Sequence, residues 1–299
     1  MDKPILSMDP TSSVLYSELI LSLYPVLIKW VPTNLFTQLL SRFLVFVVMA
    51  FVLGPKKEFF EIWTNTESLK SATLHSAINI IHIFSSYFSF KNLSAGVSLS
   101  LFYLYPIFNI IASRLIFGEQ ISTVAILLIF VAFFGAYLVA MGHTEMVGES
   151  ETERQVSKEW KGVIAAIIAA LSETSLYIFT KSFKVSHSPY FILQHIYPLG
   201  LLGLIFYSAK NTQMVDTNIS SWVPLILFNC LLGFTGYLQR FWSIPRVSTL
   251  IFSAISFLGI IMGYTWDITL LKEKISMKAL TGGGLIALAV GVLRYFEIE

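Results

Sequence analysis

Residues 118–122 read Gly-Glu-Gln-Ile-Ser, and 154 positions later residues 272–276 read Lys-Glu-Lys-Ile-Ser. The same offset lays Leu93-Ser94 on Val247-Ser248, and an offset of 152 lays Lys29 on Lys181. A motif that returns after half a chain marks an internal duplication. Each copy is followed by a long apolar run, so the nature of those runs decides the fold.

Ten runs lie near 13–31, 34–53, 72–90, 95–117, 123–141, 162–181, 189–208, 221–238, 246–270 and 277–296. Each approaches the roughly 20 residues that cross the hydrocarbon layer as a helix. The run from Ala125 to Phe134 shows no alternation of apolar and polar residues, which a spanning β-barrel strand requires. Helices that satisfy their own backbone remain. The middle stretch, 142–161, is the most polar and leaves five runs on each side. Five is odd, so the second set must enter the membrane upside down relative to the first. The expected fold is an all-α integral membrane protein of ten transmembrane helices in two inverted five-helix repeats. Its expected parts are an N-terminal tail (1–12), a first repeat (13–141), a polar linker (142–161) and a second repeat (162–296).

Composition agrees. The 299 residues are 55% hydrophobic and 13% charged, and the mean hydropathy is +0.72. Soluble domains carry about 25% charged residues. The balance excludes a disordered chain, a nucleic-acid binder and an ordinary cytosolic enzyme. Cys230 is the single cysteine, so no intrachain disulfide and no cysteine-based metal cluster is expected. Met1–Ser13 holds Asp2, Asp9 and one lysine, unlike the basic start of a cleaved signal, so the first run reads as a retained span. Residues 54–71 and 209–220 read as loops, the former with a surface-lying amphipathic turn.

The two motif copies resemble the EamA-type, two-repeat branch of the drug/metabolite transporter superfamily. The family pattern is a proline, an apolar stretch, Gly-Glu-x-Leu/Ile-Ser/Thr, then small residues at helical spacing. Here it reads Pro106, Gly118, Glu119, Ile121, Ser122 and Gly135, with a second copy in Glu273, Ile275, Ser276, Gly282, Leu285 and Ile286. Arg42-Phe43-Leu44 matches the family's second span and Lys29 the end of its first. The second copy carries Ile260 in place of Pro106 and Lys272 in place of the motif glycine. The resemblance implies cytoplasmic termini, a small-molecule metabolite as substrate and the lipid bilayer as surroundings. Positive-inside counting gives ten basic residues on each side and does not test the orientation. The sequons at Asn92 and Asn218 fall on the expected outer side.

Charged and amide side chains are costly inside a membrane and mark a cavity or a helix contact. They recur here at helical intervals. Span 1 carries Glu18, Ser22, Pro25 and Lys29; span 3 His75, Asn79, His82 and Ser86; span 4 Ser98, Tyr105 and Asn109; span 6 Glu173, Tyr177 and Lys181. Span 8 carries Asn229, Gly233, Gly236 and Arg240, and span 9 Thr249, Ser253, Ser256 and Asp267. With Arg42, Gln194 and His195 near its wall, these stripes predict a central polar cavity. The expected substrate-binding set is Glu18, Ser22, Arg42, Asn79, His82, Tyr105, Asn109, Glu173, Tyr177, Gln194, His195, Asn229, Ser253 and Ser256. Two readings stay open for each. Glu18 and Glu173 either bind substrate or carry a proton, or they bond helix to helix. Arg42 and Arg240 either recognise an anion or, like Lys29 and Lys181, reach out to the interface.

Glu119 and Glu273 read as acids at helix starts, with Ser122 and Ser276 as caps. Gly135, Gly233, Gly236 and Gly282–Gly284 read as sites of close helix packing.

No cofactor, nucleotide or metal motif is recognised, and no catalytic set such as His-Glu-x-x-His appears. The leading expectation is a secondary transporter working by alternating access, not an enzyme. Proton coupling, exchange and a homodimer stay open, with a zwitterionic or weakly anionic substrate preferred. The competing readings are a non-transporting membrane scaffold and a membrane-embedded enzyme.

Overall fold

The computed structural model describes residues 7–118, 123–148, 153–182 and 188–296, and among them every regular element is helical. The first half holds α1 (Pro10–Leu21), α2 (Tyr24–Trp30), α3 (Leu35–Leu53), α4 (Lys56–Thr64), α5 (Thr66–Asn92), α6 (Ala95–Phe102), α7 (Tyr105–Phe117) and α8 (Thr123–Gly148). The second holds α9 (Glu153–Ser182), α10 (Pro189–Ile196), α11 (Pro198–Lys210), α12 (Ile219–Phe228), α13 (Phe234–Ser243), α14 (Thr249–Ser256), α15 (Leu258–Trp266) and α16 (Met277–Phe296).

Among the described residues, seven stretches are long and apolar enough to cross a membrane: Pro10–Trp30, Leu35–Leu53, Ala95–Phe117, Lys158–Ser182, Pro189–Lys210, Ile219–Arg246 and Ile251–Leu271. Shorter apolar stretches, Ile126–Val139 and Met277–Ala289, lie in α8 and α16. Three of the ten expected spans therefore fall short of that measure. For α5 the reason is polarity, not length. Its 27 residues extend about 40 Å at 1.5 Å per residue, but it buries Ser76, Asn79, His82, Ser85, Ser86 and Ser89. Polarity is inverted relative to a soluble protein. Leu115, Ile219, Phe130, Phe206 and Val52 are exposed, while Glu18, Arg42, His82, Glu173, Arg240 and Asp267 are buried. Lipid as the outer solvent accounts for both.

Several rods are broken at mid-length. The α1–α2 break precedes Pro25, the α6–α7 break precedes Pro106, and α10–α11 breaks at Tyr197 before Pro198. Proline lacks the N–H that would continue the helical ladder. The α14–α15 break at Phe257 needs no proline: the Ile260 N–H donates to Phe257 O (3.0 Å), one residue nearer than the α-helical pattern. A π turn, Asn229–Gly233, joins α12 to α13.

The duplication is visible locally. Ser94 accepts from the Val97 N–H (3.3 Å) at the start of α6, and Ser248 accepts from the Ile251 N–H (3.2 Å) at the start of α14. Gly118 ends α7 with φ 70°, and Lys272 follows the turn after α15 with φ 54°. The motif's glycine position thus keeps its left-handed backbone although lysine fills it. Asp267 bridges the halves by accepting from the Ala95 and Gly96 N–H groups (2.7 and 2.6 Å), capping α6. Ser276 caps α16 by accepting from Ala279 N–H (3.1 Å). Glu119 and Ser122 lie outside the described residues. Between α8 and α16 the backbones nearly touch at Gly135 and Gly282, where a Cβ on Gly135 would lie 2.7 Å from the Gly282 carbonyl oxygen. Gly284, by contrast, has open space beside it.

Three local expectations shift. The polar linker is entered from both sides by α8 and α9, since Glu, Arg, Gln and Lys are good helix formers in water. Residues 54–71 are mostly helical, in α4 and the start of α5. Lys29 pairs with Glu273 across the halves rather than reaching outward, so Glu273 does more than favour a helix start. Nearby, Asp216 joins two loops: it accepts from Thr33 Oγ1 (2.7 Å), Ser221 Oγ (2.9 Å) and the Asn218 N–H (2.9 Å). The Asn218 N–H, then the two hydroxyls, hold its carboxyl below the usual range.

A left-handed backbone costs an L-residue roughly 1–2 kcal/mol, and glycine's extra freedom in the unfolded chain offsets part of that gain. Melting temperatures in detergent should therefore rank Lys272→Gly at or above wild type and Lys272→Val below it. The reverse order would show that residue 272 is not left-handed.

Candidate functional site

Broken and continuous helices deliver their side chains to one place. Glu18 from α1, Glu173 from α9 and Arg240 from α13 meet in the interior, all at most 3% exposed. Arg240 Nε and Nη2 donate to Glu173 Oε1 (2.9 and 2.6 Å), and Nη1 pairs with Glu18 Oε1. Glu18 also accepts from Tyr103 Oη (2.6 Å), Tyr105 Oη (3.2 Å) and Ser256 Oγ (3.0 Å). Glu18 and Glu173 are 155 positions apart, one residue from the offset of the repeat. Equivalent spans of the two halves thus supply the two acids.

His82 completes the group. Its Nδ1 lies 3.2 Å from the Ala169 carbonyl, and Nε2 lies 3.4 Å from Glu173 Oε2. A carbonyl only accepts, so Nδ1 carries the hydrogen. Nε2 then meets the carboxylate favourably only when one further proton sits on either group.

A second arginine, Arg42 of α3, faces the same cavity. Nε and Nη2 donate to Tyr197 Oη (3.3 and 3.1 Å), and Nη1 lies 3.5 Å from Tyr87 Oη. Its guanidinium carbon is 4.4 Å from the Tyr237 ring centroid and 4.7 Å from that of Tyr24. The cavity lies among Glu18, Tyr24, Arg42, His82, Glu173 and Arg240 and has about 30 Å³ of free volume. That is room for one or two waters. A wider opening of about 680 Å³ lies among Ile28, Lys29, Thr33, Asn34, Lys91 and Asp216. The helix α2 connects the two, with Tyr24 at the cavity and Lys29 at the opening.

Of the expected site residues, Glu18, Arg42, His82, Tyr105, Glu173 and Ser256 come together here. The others are placed elsewhere. Ser22 accepts from Trp266 Nε1 (3.0 Å), Asn79 Nδ2 donates to Ile196 O (3.3 Å), and Gln194 Nε2 donates to Ala50 O (2.9 Å). Asn229 Oδ1 accepts from Tyr24 Oη (2.8 Å), Ser253 Oγ donates to Pro106 O (3.3 Å), and His195 Nε2 lies 3.2 Å from Ser71 Oγ. Tyr177 packs on Phe252 with ring centroids 5.1 Å apart. Asn109 is fully buried with neither amide atom bonded to protein.

Sequence reading left out Tyr24, Tyr87, Tyr103, Tyr197 and Tyr237, and placed Arg240 on its stripe without including it in the site. Tyr24, Tyr103 and Tyr197 each sit within three residues before a proline, where a helix break turns the side chain inward. That adjacency was the available signal.

Residues 12–141 and 160–295 each match the model of the EamA-like transporter family. A solved structure titled only "Crystal structure of protein" superposes with a TM-score of 0.62 at 12% identity, covering 96% of this chain and 98% of that one. No curated protein matches the chain. The chain belongs to the EamA-like transporter family, the two-repeat type of the drug/metabolite transporter superfamily. It is accordingly an integral, multi-pass membrane protein of a transporter type.

Removing one partner of a buried ion pair costs about 3–5 kcal/mol, because the other charge is left unpaired. Arg240→Met should therefore lower the melting temperature sharply. The triple variant Arg240→Met, Glu18→Gln, Glu173→Gln removes all three charges and should melt well above the single variant. Equal melting of the two would show that the charges are not buried together.

Proposed function

We propose that the protein is a secondary transporter moving a small polar organic metabolite by alternating access, with ten transmembrane helices in two inverted five-helix repeats. The observation that carries this reading is the meeting of Glu18 and Glu173, from equivalent spans of opposite halves, on Arg240 beside a small cavity. Inverted-repeat transporters bind their cargo at such an interface, among broken helices, and rock one half against the other.

A cavity of about 30 Å³ does not admit a metabolite, so the protein must open to load. The wide opening beside Lys29 is the approach on one face. Lys29 in α2 and Glu273 after α15 join the two halves at that face, and their separation accompanies opening there. Tyr24 follows the same helix and opens the cavity with it. Coupling falls to the pair His82 and Glu173, whose contact holds one exchangeable proton. The surrounding lipid and a small-molecule cargo are the partners of this reading, and the termini face the cytoplasm.

The test uses a chain in which Cys230, the single cysteine, is replaced by serine. Lys29→Cys and Glu273→Cys are added and joined by a short bis-thiosulfonate linker in proteoliposomes. Linkage should abolish solute flux and reduction should restore it; undiminished flux through fully linked protein would overturn the reading. A second measurement addresses coupling. Glu173→Gln should abolish uptake driven by a proton gradient while keeping exchange of solute for solute, whereas gradient-driven uptake at the wild-type rate would remove the proton from Glu173.

A further inference from the structure

The two buried arginines are held in opposite ways. Arg240 meets an acid on every nitrogen, with Glu173 on two and Glu18 on the third. Arg42 is 2% exposed and lines the same cavity, yet no carboxylate pairs with it among the described residues. Its partners are neutral: the hydroxyls of Tyr197, Tyr87 and Tyr237, and the ring faces of Tyr237, Tyr24, Phe46 and Tyr87 at 4.4, 4.7, 5.3 and 5.7 Å. A guanidinium has five N–H donors. Tyr197 takes one from Nε and one from Nη2, and Tyr87 takes one from Nη1. None of these acceptors carries a negative charge.

A buried cation without a counter-ion is costly, and aromatic faces offset only part of that cost. The two carboxylates that share the cavity are already bound to Arg240. Both terminal nitrogens of Arg42 meet only neutral hydroxyls, which an oxyanion can displace, and they are the pair that grips a carboxylate or phosphate with two parallel bonds.

We propose that Arg42 is an oxyanion subsite and that the cargo is a small organic anion whose carboxylate or phosphate docks on its two terminal nitrogens. The charge count agrees. With one proton held between His82 and Glu173, the groups Arg42, Arg240, Glu18 and Glu173 carry one net positive charge, which one oxyanion neutralises. That the anion is cargo rests on the transport reading above; that it binds at Arg42 does not.

The experiment is a thermal-shift titration of the purified full chain in neutral detergent, with matched probes at equal concentration. The pairs are lactate with methyl lactate, benzoate with methyl benzoate, and glycerol 3-phosphate with glycerol. A ligand of the folded state raises the melting temperature. At least one anion should do so while its neutral partner does not, and the carboxylate and phosphate arms tell which oxyanion is preferred. Arg42→Lys keeps the charge and loses the two-pronged geometry. It should fold with nearly wild-type melting and bind the same anion roughly tenfold more weakly. Equal shifts from acid and ester, wild-type binding by Arg42→Lys, or no shift from any anion would each overturn the subsite. Solute flux in vesicles separates the two proposals. Anion binding at Arg42 without flux leaves the subsite and fails the transport reading, whereas flux of a neutral or cationic solute without anion binding does the reverse.

Discussion

Arg240 holds a carboxylate from each half of the chain, and the rest of the interior is arranged around that contact. In a lipid-surrounded protein, three buried charges persist only when each is bonded on several sides. Glu18 meets this requirement with one guanidinium nitrogen and three hydroxyls, and Glu173 with two guanidinium nitrogens and an imidazole. These bonds come from α1, α5, α6–α7, α9, α13 and α14, so one ion cluster fixes elements from both repeats. It also leaves the cavity nearly closed. Bonds strong enough to hold the halves together there have to be exchanged for bonds to an incoming solute.

The helix breaks serve the same cluster. A continuous helix presents its side chains outward from a regular cylinder, and the ladder leaves no backbone free. Breaking α1–α2, α6–α7 and α10–α11 before prolines places Tyr24, Tyr103 and Tyr197 where hydroxyls can reach Asn229, Glu18 and Arg42. Irregular backbone at membrane depth is tolerated where it lines a cavity. The second repeat achieves the α14–α15 break without proline, which shows that tertiary packing, and not proline alone, maintains the geometry.

Much of this was legible in the sequence because charge is so scarce in it. Glu18, Glu173 and Arg42 stood out as expensive groups within apolar runs, and the repeated motif placed Ser94 with Ser248 and Gly118 with Lys272. What helical stripes could not supply was the difference between a polar residue that faces a cavity and one that ties two helices. Asn79 and Ser253 occupy stripes like that of Glu18, and Gln194 was expected near the cavity wall, yet each donates to a neighbouring backbone carbonyl. Tyr105 and Tyr177 were picked out by their stripes, whereas Tyr24, Tyr87, Tyr103, Tyr197 and Tyr237 were not, although tyrosine hydroxyls make most of the neutral bonds at the site. The reach of Lys29 to Glu273 depends on two helix ends from opposite halves meeting, a long-range fact that local spacing does not encode.

Alternation of one site between two faces is tested most directly at Ser86, which lines the cavity and donates to the His82 carbonyl. With Cys230 replaced by serine and Ser86 by cysteine, a membrane-impermeant thiol reagent is applied from either side of oriented proteoliposomes during solute exchange. Alternating access predicts labelling from both sides in turn, and, when Lys29→Cys and Glu273→Cys are linked first, loss of labelling from the Lys29 face with labelling from the other face kept. Labelling of the unlinked protein from one side alone, whatever the solute distribution, would contradict it.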